Sequence, residues 1–66
     1  MTVYILFNGS YENRDIWGVY SSLEDAIHAA KGISCRDWAT IEQWQGDLVG
    51  KKWAPKDEQG IPVAEI

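Results

Sequence analysis

The sequence holds a single cysteine, Cys35, and a single histidine, His28. One cysteine cannot close an intrachain disulfide, and the two residues together are too few for a structural zinc site. Basic residues are also scarce: six Lys and Arg stand against ten Asp and Glu, a formal charge of −4. Nucleic-acid surfaces need a basic patch that displaces counterions, and anionic membranes attract polybasic segments. Neither partner is expected. No apolar run is long. Met1 to Phe7 is too short to span a bilayer and lacks the basic region of a signal peptide. With the lone cysteine, this predicts a reducing, cytoplasmic setting. The glycines form no phosphate-cradling loop, and no D-x-D-x-D-G calcium loop occurs, so no cofactor and no metal is expected.

The two residues with reactive side chains lack companions. A catalytic histidine needs an orienting group and a nucleophile within hydrogen-bond reach. His28 instead follows Glu24 and Asp25 at helical spacing, which a surface ion pair explains. Cys35 lies beside Arg36, which can favour a thiolate, but a small half-buried loop cysteine is the simpler reading. Catalysis is therefore not expected. The acidic residues are dispersed and accompanied by six basic ones, too sparse to imitate a row of phosphates. A DNA-mimic inhibitor is accordingly the weakest alternative.

What the chain does have is aromatic mass: four Trp, three Tyr and one Phe in 66 residues. A domain of this size buries only about 60% of its unfolded surface. Large aromatic side chains, each removing about 150–250 Å² from water, are one remedy.

The stretch Trp17 to Ala26 sets the fold class. It reads as a strand end running into a capped helix. Ser21 and Glu24 have the S-x-x-E spacing of a capping box, and Glu24 and Asp25 place negative charge in the first turn. Leu23, Ala26, Ile27 and Ala30 form one apolar stripe, and Gly32 after Lys31 fits a C′ glycine. The helix is predicted from about Ser22 to Lys31.

Around it lie four predicted strands. Thr2 to Phe7 is apolar on both faces, which suggests a central strand or a second covered surface. Asp15 to Tyr20 is its antiparallel partner, with Gly18 marking a bulge or a close backbone approach. On this strand Val19 and Trp17 are expected to meet the helix. Trp38 to Gln45 and Leu48 to Trp53 form a hairpin about Gly46-Asp47, a type II′ turn signal. That register would set Trp44 against Val49, Glu42 against Lys51 and Thr40 against Trp53. Residues 54–66 read as a flexible tail or an edge strand, because Pro62 is excluded from a central position. The expected fold is α+β: a single domain over residues 1–66, ββαββ, with an antiparallel four-stranded sheet and one short helix on one face.

Tyr4-Ile5-Leu6, Tyr11-Glu12, Gly18-Val19-Tyr20-Ser21-Ser22 and Glu24-Asp25-Ala26 resemble a group of small bacterial and phage proteins of unknown function. Their pattern is a strand, a Y-E turn, and a strand ending G-V-Y/F-S-S before a helix. Ile41-Glu42-Gln43-Trp44, Gly46-Asp47 and Trp53 are similar to their closing hairpin. The resemblance spans Val3 to Trp53. It implies no activity, but it does imply a phage or mobile-element accessory role, a class in which small acidic proteins inhibit host enzymes or defence complexes.

One helix leaves one sheet face without a cover, and Trp and Tyr are enriched at protein interfaces. The expected function is thus a non-enzymatic protein-binding module that occludes a host protein or complex. Tyr11, Glu12, Trp17, Trp44 and Trp53 are the candidate contact residues, and the acidic charge would favour a partner with a basic surface. The alternative is a homo-oligomeric structural or accessory protein, such as a homodimer closed over the open face.

Overall fold

The computed structural model describes residues 1–9, 15–32, 39–55 and 62–66. Its elements follow as β1 Thr2–Asn8, β2 Asp15–Tyr20, α1 Leu23–Lys31, β3 Ala39–Gln45, β4 Leu48–Ala54 and β5 Ala64–Glu65. The sheet order is β2-β1-β3-β4-β5, with every neighbouring pair antiparallel. The ββαββ chain with a helix beside an antiparallel sheet is thus as expected, and β5 adds two residues at an edge. Strand β1 lies between β2 and β3, the central position that is one of the two readings of its apolar faces. Because β2 and β3 both run antiparallel to β1, α1 links two mutually parallel strands and crosses over the strand between them. Among the described residues it packs on β1, β2 and β3.

The helix begins one residue later than predicted. Ser22, not Ser21, is the N-cap: its backbone is extended and its hydroxyl accepts the Asp25 N–H at 3.2 Å. Both serines have an acidic residue three positions on, so spacing alone does not separate them. Strand β2 uses residues through Tyr20, which leaves Ser21 and Ser22 as the link to the helix. Gly32 caps the other end with right-handed backbone angles, donating to the Ala29 and Ala30 carbonyls. Gly32 therefore does not take the predicted left-handed C′ role. Ser22→Ala is expected to cost about 0.5–2 kcal/mol of unfolding free energy, and Ser21→Ala within about 0.5 kcal/mol. Urea denaturation of the two variants side by side checks this.

Two irregularities shape the sheet. Leu6 lies opposite Gly18 while Phe7 lies opposite Ile16, so Trp17 is an extra residue in β2. Gly18 is also a close approach: a Cβ there would meet the Tyr20 hydroxyl at 2.5 Å and its ring at 2.7 Å. Tyr20, aligned with Tyr4, lies back along its own strand and packs on the core. The expectation that Val19 and Trp17 meet the helix is therefore wrong. Val19 pairs with Ile5 on the opposite face, and the extra residue brings Ile16 onto that face as well.

The second irregularity lies in the β3–β4 hairpin. Gln45 opposes Leu48 and Trp44 opposes Val49, as predicted. Gly46 has φ of 63° and Asp47 is not left-handed, the pattern of a type II′ rather than a type I′ turn. Beyond Trp44 the register shifts by one. Glu42 opposes Lys52, not Lys51, and Ile41, not Thr40, opposes Trp53. The extra residue is accommodated at Gly50-Lys51, where the Gln43 side-chain oxygen accepts the Lys51 N–H at 3.4 Å. A bulge of this kind restores the alternation that Trp53 needs to face inward.

The core lies between α1 and the sheet. Leu6, Ala26, Ala30, Ala39, Ile41 and Trp53 are buried together, and Tyr4, Tyr20, Leu23, Ile27 and Ala29 pack around them. Leu6, Ile41 and Trp53 form one row across three strands. The Tyr4 and Trp53 rings stand 5.9 Å apart at 52°, a tilted aromatic pair. The small helix residues Ala26 and Ala30 let α1 approach this row closely.

Candidate functional site

The surface with the most content is the sheet face turned away from α1. Strand registers arrange it in three rows: Ile16–Phe7–Thr40, Val19–Ile5–Glu42–Lys52 and Val3–Trp44–Val49. Phe7 and Glu42 in its middle are buried. Exposure rises toward the outer strands: Ile16 is 64% exposed, Val19 57% and Val49 44%. Exposed apolar residues grouped this way are more informative than the same number scattered singly.

Trp44 is half-buried on this face and anchored. Its indole N–H donates to the Glu42 carboxylate at 3.0 Å. Burial of a carboxylate is costly unless it accepts hydrogen bonds, so Glu42 fixes the indole while the indole helps satisfy Glu42. The result is a ring presented in one orientation, with little conformational entropy left to lose on contact.

The candidate contact residues separate sharply. Trp17, at the β2 bulge, is 53% exposed and free to contact another molecule. Trp44 lies on the face turned away from α1. Trp53 does not: it is buried in the helix-side core, where the shifted β4 register places it. A residue so enclosed is structural, and Trp53 is removed from the contact set. Tyr11 and Glu12 lie outside the described residues, as do Cys35 and Trp38. Ile16, Val19 and Val49 were not singled out from sequence. Their only signal was alternation, which the two bulges interrupt.

The remaining surface offers less chemistry. His28 is exposed on the helix near Lys31, both in the last turn where positive charge suits the helix dipole. Among the described residues, no three His, Cys, Asp or Glu side chains converge as metal ligands. A shallow depression lined by Gln43, Gln45, Leu48, Val49 and Gly50 sits beside the hairpin. Lys51 and Glu65 approach to 3.8 Å, but both are exposed, and such pairs contribute little. No helix among the described residues is long and apolar enough to cross a membrane. Comparison of the chain with protein-family models, with curated proteins and with solved structures finds no match.

Proposed function

We propose that this chain is a non-enzymatic protein-binding module whose contact surface is the helix-free sheet face. The observation that carries the reading is that one sheet face bears exposed Ile16 and Val19 on β2 and exposed Val49 on β4, with the Trp44 indole, held by Glu42, on the strand beside Val49. The occupant is a protein surface with an apolar centre and a basic surround. The apolar residues match the first requirement, and the net charge of −4 matches the second. By the sequence resemblance, the setting is a phage or mobile element acting in the host cytoplasm. Occlusion of a host protein or defence complex is then the simplest mode of action, because it needs no catalytic group.

A photo-crosslinking residue at position 48, in place of exposed Leu48, tests this beside the face rather than within it. In a bacterial host lysate it should give one discrete adduct heavier than any self-adduct. Excess wild-type protein should suppress that adduct, whereas the same excess of Val49→Asp should not. Yield should also fall as salt rises, since steering between opposite charges is screened. Only self-adducts, or competition by Val49→Asp equal to that of wild type, would overturn the reading.

A further inference from the structure

The two edges of the sheet are unequal. At one edge, β5 is two residues long, follows buried Pro62 and carries Glu65. Short length, proline and charge are the usual means of keeping an edge strand from pairing. At the other edge, β2 runs for six residues, Asp15–Tyr20, with no proline, no lysine and one charge. Three of its side chains, Ile16, Trp17 and Val19, are exposed and apolar. The part of β4 that β5 leaves unpaired carries Lys51, Lys52 and the bulge at Gly50-Lys51, so that edge is blunted, whereas among the described residues β2 has no strand on its outer side.

The bulge decides what the open edge fits. In a regular strand, residues three apart point to opposite faces and opposite edges. In β2 the extra residue cancels this: Ile16 and Val19 are aligned with Phe7 and Ile5 and share a face. An ordinary partner strand would lose register across the bulge. A second β2, running antiparallel, carries the same irregularity at the same place. About a two-fold axis between Trp17 and Gly18, Ile16 stands beside Val19 of the other copy, twice, and Asp15 beside Tyr20. The first pairing matches apolar with apolar on one face. The second leaves neither acidic residue opposite its own copy. Because the bulge adds no rise, four residues of ladder separate the two Asp15 positions along the strand, roughly 13 Å, beyond the screening length of about 8 Å in physiological salt.

We infer that β2 is a self-complementary edge, and that two copies of this chain join there into one continuous sheet. The pairing is isologous and uses the β2 edge of both copies, so the assembly closes as a two-fold dimer. The axis is perpendicular to the sheet. Both helices therefore lie on one side, and the two helix-free faces lie side by side on the other. This pairing rests on β2 alone and does not depend on the partner-binding reading.

Sedimentation equilibrium from about 1 µM to about 1 mM, the range in which modest interfaces dissociate, reads the assembly. Wild type should approach twice the chain mass as concentration rises. Val19→Lys should stay monomeric over the same range, with unchanged far-UV circular dichroism. The register is read separately by cysteines in a Cys35→Ser background. Ile16→Cys together with Val19→Cys should crosslink to a dimer under mild oxidation, because each thiol faces the other position across the axis. Either cysteine alone should not, because its own copy lies two ladder positions along and one strand across, roughly 8 Å between Cα atoms, beyond the separation of about 7 Å that a disulfide can bridge. A monomer at the highest concentration, a dimer indifferent to Val19→Lys, or equal crosslinking by the single variants would overturn the inference.

Discussion

Trp53→Ala is expected to leave the chain largely unfolded in buffer at room temperature. Trp53 is 7% exposed and shares the core with Leu6, Ala26, Ala30, Ala39 and Ile41. Removing a buried tryptophan costs about 3–5 kcal/mol. The tilted contact with Tyr4 adds about 0.5–1.5 kcal/mol. A core of this size rarely supplies more than about 3–5 kcal/mol in total, so the loss consumes the whole margin. Amide chemical-shift dispersion should collapse. Trp17→Ala, by contrast, should keep a dispersed spectrum and lose no more than about 0.5 kcal/mol, as surface substitutions do. A folded Trp53→Ala variant would return Trp53 to the set of candidate contact residues.

Ile41→Ala should come close to the same result by a different route. Ile41 is fully buried and stands between Leu6 and Trp53 in the row that α1 covers. Truncation to alanine opens a cavity walled by strands that are paired on both sides, so little collapse can fill it. The expected cost is about 2–5 kcal/mol, against about 0.5–1.5 kcal/mol for Ile41→Val. Urea titration of the valine variant should move the midpoint and leave the slope unchanged. A valine variant as stable as wild type would mean the row is loosely packed.

Much of this architecture is written in local chemistry. The helix stripe of Leu23, Ala26, Ile27 and Ala30 is the face that packs on the sheet, and Gly46-Asp47 is the turn that sets the hairpin. Gly18 marked the irregularity in β2 but not which side chains it would turn inward, and the extra residue in β4 escaped the sequence. A bulge changes which side chains face inward without changing any residue's preference for extended backbone. Here each bulge also adjoins a glycine, Gly18 or Gly50, with no side chain to declare a face. One consequence was the Val19 and Trp17 assignment; another was the displaced partner of Trp53. The cap at Ser22 was misplaced because Ser21 offers the same chemistry one residue earlier.

The candidate surface was legible only as a surplus. Composition shows that aromatic residues are abundant, but it cannot assign each one to core or surface. Trp17 and Trp53 are chemically identical. What separates them is that Trp53 faces Ile41 across a ladder, whereas Trp17 is the residue its ladder omits. The Glu42–Trp44 hydrogen bond was equally hidden, although its i, i+2 spacing on one strand is the geometry that allows it.

The β1–β3 ladder runs without interruption from Thr2–Gln45 to Asn8–Ala39, and it joins the two halves of the chain. Each half supplies a hairpin that could form early and locally, but neither hairpin has a core: Leu6 comes from one and Ile41 from the other. Closing that central seam requires the longest excursions of the chain, so the entropy of loop closure falls on the step that also creates the first dry contact. Folding is therefore governed by the meeting of two nearly finished but individually unstable pieces. A nick in the helix-bearing connection would turn a unimolecular reaction into an association, with a rate set by concentration.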